Sequence, residues 1–168
     1  NARIIRNLLE GAQFLHSHIL WFYNLCALDY VNPLNALKAN PEAATELAFA
    51  LGTSCRSDLR AVSQRLTKFA DNKQLSIFSG NWFNSENGKG YVLPPEADLL
   101  LTSHYLEALE MQAKASEISG LLGGKMPHIM TSTVGGTMFV PTEEKLDDLY
   151  ALAKDIYEWV ESTMVQDT

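Results

Sequence analysis

The histidines are the side chains of this chain best suited to metal binding and to proton transfer near neutral pH. His16 and His18 lie two positions apart in a helical pattern. Their side chains therefore diverge by about 200° and cannot share one metal ion. His104 and His128 are far from them in sequence, and no His-Glu-x-x-His pattern is present. The spacing favours buried histidines that hydrogen-bond their surroundings over a metal site formed within this chain.

His128 directly follows an interruption of a strongly helical pattern. Residues 121–128 read LLGGKMPH, and Val134-Gly135-Gly136 comes shortly afterwards. Glycine permits backbone angles that other residues avoid, and proline fixes φ and lacks a donor. We expect an ordered, irregular turn that presents His128 to a cofactor or a partner. The alternative is an ordinary turn histidine that caps a carbonyl group.

Other catalytic patterns are weak. Cys26 lies in an apolar helical stretch and Cys55 in a loop signal, without the basic neighbours or Cys-x-x-Cys pairing that activate a thiol. We interpret both cysteines as structural. The carboxylates are scattered, and neither a phosphate-binding glycine loop nor a Gly-x-Ser-x-Gly nucleophile motif is present.

Composition indicates one globular domain over residues 1–168, with 46% hydrophobic and 20% charged residues. The formal charge of −7 argues against nucleic acid or an anionic membrane as the main partner. No apolar run approaches the roughly 20 residues of a membrane-spanning helix. The first residues begin directly in helical sequence and do not resemble a signal peptide.

The elements that must position these side chains are mainly helices. Apolar residues at helical spacing predict one long, largely buried helix over 2–30. Further helices are expected at about 33–38, 41–51, 57–71 and 95–120, and from Pro141 to near the end of the sequence. Residues 74–93 indicate a loop with a short hairpin, and residues 130–140 a strand or extended crossing. The predicted fold class is mainly α: a multi-helix bundle with long buried helices and a small extended or hairpin element.

Three blocks of sequence, in this order and at this spacing, resemble the middle of the large, catalytic subunit of nickel–iron hydrogenases. The blocks are NARIIRNLLEGAQFLHSH, continuing to Val31; LPPEA with HYLEALE, within 93–110; and GGKMPH with VGG, within 123–136. The similarity covers almost the whole chain. It implies a hydrogenase-like helical fold and an internal stretch of a longer subunit.

The resemblance also implies a cofactor and partners. The family's large subunit carries a nickel–iron centre whose iron holds cyanide and carbonyl ligands. Four cysteines bind it, from an Arg-x-Cys-Gly-x-Cys and an Asp-Pro-Cys-x-x-Cys motif. Neither motif is present here, so the ligands would lie outside this segment. The expected partners are H₂ as substrate and the small subunit with its iron–sulfur clusters, through which a membrane cytochrome or another redox protein connects. A periplasmic or membrane-associated location is favoured over the cytoplasm.

The site residues implied by the resemblance surround the metal centre without binding it. The family has a carboxylate between the two histidines of a Leu-His-Asp-His stretch, over the open face of the centre. Here that position is Ser17, flanked by His16 and His18, so we expect a less charged pocket for hydrogen activation. His128 matches the family histidine near the closest cluster of the small subunit, where it would tune electron exit. After Gly136 this chain reaches its last helix sooner than family members commonly do.

Two other interpretations stay open at this point. A cofactor-free relative, such as the quinone-site subunit of respiratory complex I, would share the fold without the cysteine motifs. A purely structural helical domain would follow if the match of the three blocks were accidental. Because the small subunit is expected to cover apolar surface, we also expect the isolated chain to aggregate.

Overall fold

A computed structural model describes residues 2–79 and 91–168 of the chain, and within them the fold is mainly helical, as predicted. The five α-helices of this part are α1 (Ala2–Leu20), α2 (Pro41–Leu51), α3 (Leu59–Asp71), α4 (Pro95–Gly123) and α5 (Glu143–Trp159). Two short strands, β1 (Ser132–Thr133) and β2 (Gly136–Thr137), lie between α4 and α5. None of the helices in the described part is both long and apolar enough to cross a membrane.

The long first helix that the apolar spacing predicts is present, with a change of winding. The prediction that it is largely buried is wrong, because α1 buries only Leu9, Ala12 and Ile19. α1 is followed by a π-helical segment, Trp21–Cys26, and a 3₁₀ turn, Ala27–Asp29. The predicted helix at 33–38 is shorter, a single 3₁₀ turn over Ala36–Lys38. Helical winding therefore continues almost without a break to Asp29, close to the predicted end.

The helix boundaries follow from capping side chains. Asn40 Oδ1 accepts hydrogen bonds from the amides of Glu42 and Ala43 at 2.9 and 3.2 Å, directly before α2. Asp58 caps α3 and Thr142 caps α5 in the same way. Each cap satisfies amide groups that have no partner within the helix, so each fixes where its helix begins.

The small β element is an antiparallel hairpin. Ser132 pairs with Thr137 and Thr133 with Gly136, within the range for which a strand or extended crossing is predicted. Gly135, at φ +81°, makes the turn between the strands. The other hairpin, expected within 74–93, falls largely on residues 80–90, which are outside the described residues.

The chain divides into two compact units, and α4 contributes residues to both. The first unit comprises Asn1–Trp21 with Ala108–Val160, and the second Phe22–Glu107 with Glu161–Thr168. In the first unit α4 buries Met111, Ala115, Ile118 and Leu122, a stripe at helical spacing. The prediction of one domain over residues 1–168 stays a prediction.

The core of the second unit is built from small and branched apolar side chains. Its members come from α2, α3, α4 and the turn before α2: Ala36, Ala44, Ala48, Leu59, Val62, Leu66, Leu99 and Leu100. The alanines at the contacts let α2 and α3 pack closely. This core fixes the part of α4 that carries His104.

Candidate functional site

The histidine pair predicted on the first helix lies on α1, in the first unit. His16 is partly buried, whereas Ser17 and His18 are exposed. The Nδ1 of His18 donates to the Phe14 carbonyl oxygen at 2.8 Å. In the neutral imidazole this places the proton on Nδ1 and leaves Nε2 as an acceptor. Ser17, His18 and Trp21 line a shallow surface depression.

His128 lies on an irregular turn, as its sequence neighbours predict. α4 ends at Gly123, Gly124 has φ +83°, and the Met126–Pro127 peptide bond is cis. His128 itself has φ +67°, in the left-handed region that histidine enters more often than most residues. Its side chain is exposed. The turn therefore presents the imidazole outward from the first unit.

The start of this turn is closely packed. A Cβ on Gly123 would lie 3.0 Å from Cγ1 of Ile129, so the absence of a side chain lets the returning chain pack directly on the helix end. The Gly123 carbonyl accepts the Met130 amide at 2.8 Å, and Thr131 Oγ1 donates to the Leu122 carbonyl at the same distance. The turn thus leaves and rejoins the end of α4 along a defined path.

The structure does not join the predicted site residues to one another directly. Among the hydrogen bonds of the described residues, none links His128 with Ser17 or His18. α1 and the hairpin are instead connected through Arg6, whose Nη2 donates to the carbonyls of Thr133 and Gly136 at 3.1 and 2.9 Å. Sequence reasoning missed this contact, because nothing local relates residues more than a hundred positions apart.

A buried ion pair in the second unit was also missed. His104 is fully buried on α4, and its Nδ1 donates to the Asp167 carboxylate, 2.9 Å from Oδ2. The Tyr23 hydroxyl donates to the same Oδ2 at 2.6 Å. The interpretation of buried, hydrogen-bonded histidines is thus confirmed for His104, whereas burial is wrong for His18 and His128, which are exposed. Asp167 lies 63 positions from His104 and 144 from Tyr23, and no local signal relates these residues.

The charge of this group follows from burial and from its partners. Burial disfavours the imidazolium and acts to lower the pKa of His104, but the hydrogen bond to Asp167, with a further contribution from the Cys55 sulfur, leaves it raised to about 9. Burial, together with the adjacent Asp167 carboxylate, raises the pKa of Tyr23. At neutral pH the cluster therefore holds a charged His104–Asp167 pair and a protonated phenol.

Cys55 has a structural environment, in line with its interpretation. The side chain is partly buried, and its thiol donates to the Ser57 carbonyl with an Sγ···O distance of 3.2 Å. Sγ also lies 3.4 Å from the Ser103 hydroxyl. Glu107 Oε1 accepts the Ser57 amide at 2.9 Å and so fixes the same loop against α4. Cys26 is likewise a partly buried free thiol.

Within residues 2–79 and 91–168, no three His, Cys, Asp or Glu side chains are grouped so that they could hold a metal ion. Cys26 lies in the π-helical segment and Cys55 in a loop, and both are free thiols. The described residues therefore do not provide a ligand set for a nickel–iron centre.

Comparison with known proteins resolves which fold family these elements form. The family model for nickel-dependent hydrogenase matches residues 1–168. This chain belongs to the nickel-dependent hydrogenase family. The resemblance carried by the three sequence blocks is thereby confirmed.

Individual hydrogenases are similar over most of the chain. Over 133 residues, 76% of the chain, it is 44% identical to the uptake hydrogenase large subunit of Rhodobacter capsulatus. It is 41% identical to the hydrogenase-1 large chain of Escherichia coli over 132 residues, also 76% of the chain. Against the hydrogenase-2 large chain of Escherichia coli it is 38% identical over 139 residues, 81% of the chain.

The matched region is a small part of these hydrogenases. It covers 22% of the Rhodobacter capsulatus subunit and 21% and 24% of the two Escherichia coli chains. The names of these relatives do not favour the alternative of a cofactor-free, quinone-binding subunit.

Proposed function

We propose that this chain is an internal stretch of a hydrogenase large subunit and that the complete enzyme catalyses the reversible oxidation of H₂ to protons and electrons. The observation that carries the proposal is the match of the hydrogenase family model to all 168 residues. The chain covers only about a fifth of the length of related large subunits, as expected of one stretch of a longer subunit.

In this proposal the nickel–iron centre, with cyanide and carbonyl ligands on the iron, is bound by cysteines outside the chain. When bound, such a centre supplies the heterolytic cleavage of H₂. The residues of this chain would form part of the pocket wall and hold its polar groups in place. An iron–sulfur small subunit would be the partner, with a membrane cytochrome or another redox protein beyond it, in the periplasm or at a membrane.

Ser17 would contribute a hydroxyl where relatives with a Leu-His-Asp-His stretch have a carboxylate. Its exposure on α1 leaves it free to face a segment outside this chain. A serine hydroxyl donates and accepts hydrogen bonds, but it carries no charge at neutral pH and cannot form a bidentate pair with arginine. His18, with Nδ1 held by the Phe14 carbonyl, would offer Nε2 as the nearby proton acceptor, and His16 would flank the site from a partly buried position.

His128 would act on the electron exit. Its exposed imidazole, held on a turn with fixed backbone geometry, is suited to a hydrogen bond with a cysteine ligand of a cluster in the small subunit. Such a hydrogen bond changes the reduction potential of a cluster through the charge on the sulfur. The role does not require His128 to bind metal.

Two assays on the assembled enzyme separate these roles. Isotope exchange between D₂ and water reports H₂ cleavage at the metal centre, whereas H₂-dependent reduction of a viologen dye also requires electrons to leave through the clusters. We expect His128→Ala to slow dye reduction by at least about tenfold while exchange changes by less than about twofold. Equal losses in both assays would contradict the exit role, and absence of both activities from the unmodified enzyme would contradict the proposed function.

A further inference from the structure

Arg6 makes an unusual pair of contacts for an exposed side chain. A single guanidinium nitrogen, Nη2, donates to a carbonyl on each strand of the hairpin: Thr133 on β1 at 3.1 Å and Gly136 on β2 at 2.9 Å. Both bonds are charge-assisted and therefore stronger than bonds between neutral groups. Arg6 thus connects both strands to α1.

The hairpin depends on such external contacts. Each strand has two residues, and an isolated two-stranded hairpin is marginal in water even when it is longer. One flank is attached to α4, through the Gly123 carbonyl and the Met130 amide, and Met138 closes the loop with its amide on the Thr131 carbonyl at 2.8 Å. Arg6 supplies the attachment on the other side.

The segment held in this way contains His128. We call residues 124–140, which run from the end of α4 to the approach of α5, the His128 excursion. The α4 contacts fix its base, and Arg6 fixes its hairpin tip, where Gly135 turns. The base contacts hold the turn that carries His128, and the Arg6 contacts hold the hairpin that follows it, so both parts of the excursion are attached.

Ser17 lies on α1, the same helix that carries Arg6. Arg6 and Ser17 lie eleven residues apart on α1, or about 16 Å along the axis. A continuous helix keeps that separation constant. The Arg6 contact therefore relates the position of the excursion to the helix that presents Ser17 and His18, all within the first unit.

We propose that Arg6 is a positioning residue: by binding both strands of the hairpin it fixes the excursion that carries His128 against α1. The proposal rests on the proposed function, in which His128 acts on a cluster of the small subunit. Arg6 touches neither substrate nor cluster and acts only through the backbone of the excursion.

The test compares three variants of the assembled enzyme: Arg6→Ala, Arg6→Lys and His128→Ala. Arg3→Ala is the control, because Arg3 is also exposed and lies one turn before Arg6 on α1. Hydrogen exchange over residues 130–138 reports whether the hairpin is held. The midpoint potential of the nearest cluster, followed by electron paramagnetic resonance, reports whether His128 still reaches it. The potential is a readout that a purely stabilising contact would not move.

We expect Arg6→Ala to speed exchange of the Met138 amide by about tenfold or more, since two charge-assisted hydrogen bonds are lost. It should also shift the cluster potential in the same direction as His128→Ala. Arg6→Lys should be intermediate, because an ammonium group replaces the planar fork with a point charge that still donates. Arg3→Ala should match the unmodified enzyme in both measurements.

Each contrary outcome is distinct. Unchanged exchange in Arg6→Ala overturns the attachment itself. Faster exchange with an unchanged potential, while His128→Ala shifts that potential, overturns the positioning role alone. An unchanged potential in His128→Ala refutes the exit role of the proposed function and, with it, the positioning proposal, whatever the exchange rates are.

Discussion

The charge on His104 depends on the balance between its burial and its partner Asp167. The pKa of His104 is raised to about 9 in the fold, above its ordinary value of 6.5. The charged pair therefore contributes its full stabilisation below about pH 6.5, and the contribution is lost as the pH rises through about 9. Removing one partner of a buried pair leaves the other without compensation, which costs about 3–5 kcal/mol.

We predict that Asp167→Asn lowers the free energy of local opening of residues 160–168 by about 3 kcal/mol at pH 6 and by much less at pH 9.5. Hydrogen exchange of the backbone amides of residues 166 and 167, followed in the complete subunit, measures this free energy of local opening. Tyr23→Phe is the matched control: because burial raises the pKa of Tyr23, its phenol stays protonated, and its loss should cost the same at both pH values. A pH-independent effect of Asp167→Asn would show that His104 is uncharged.

The Ser17 hydroxyl carries no charge at neutral pH. We predict that Ser17→Asp in the assembled enzyme raises the rate of D₂ exchange and shifts its pH profile, since a carboxylate can hold a proton or pair with an arginine. Ser17→Asn is the control of similar size without charge, and it should leave the profile unchanged. If both variants behave alike, a carboxylate at position 17 has no electrostatic role.

At the scale of elements, the sequence predicts most of what is observed because the signals are local. Asn40 followed by Pro41 and Thr142 followed by two acidic residues specify helix starts through contacts within a few residues. Gly123 and Gly124 specify the end of α4 and the turn before His128 in the same way. The contacts of Arg6 with the hairpin and of His104 with Asp167 join distant positions, and neither periodicity nor capping carries that information.

Two glycines of one helix end allow a matched comparison. Gly124 has φ +83°, where a side chain is strained by about 1–2 kcal/mol, so Gly124→Ala should destabilise the turn by that amount. Gly120 lies within α4, and a Cβ there would meet nothing within 4 Å. Gly120→Ala should therefore be neutral or stabilise the helix by up to about 1 kcal/mol.

Hydrogen exchange of the Met130 amide, which bonds to the Gly123 carbonyl, reports the turn in both variants. Faster exchange only in Gly124→Ala agrees with the backbone argument. Equal destabilisation by the two substitutions would contradict it and point to packing at the helix end as the cause.

At the scale of the whole molecule, the exposed apolar surface determines whether the isolated chain stays monomeric or aggregates. Large apolar side chains are strongly exposed on several elements, among them Phe49 at 89%, Ile77 at 74% and Tyr150 at 71%. On α1 the exposed set includes Ile4, Leu8, Phe14 and Leu15. Apolar surface exposed on this scale marks either a site that another protein surface covers or a tendency to aggregate.

We therefore predict that the 168-residue chain, produced alone, aggregates, whereas the complete large subunit with its small subunit does not. Size-exclusion chromatography with light scattering distinguishes the two cases. A stable, monodisperse monomer of the isolated chain would show that these apolar groups need no covering partner.

The proposed function requires that the protein containing this chain carries a nickel–iron centre. The most direct measurement is nickel content together with D₂ exchange on that protein, purified with its partner subunit. About one nickel per large subunit, with exchange activity that removal of the metal abolishes, is the predicted result. A protein free of nickel that exchanges no D₂ would contradict the account and return a cofactor-free relative to consideration.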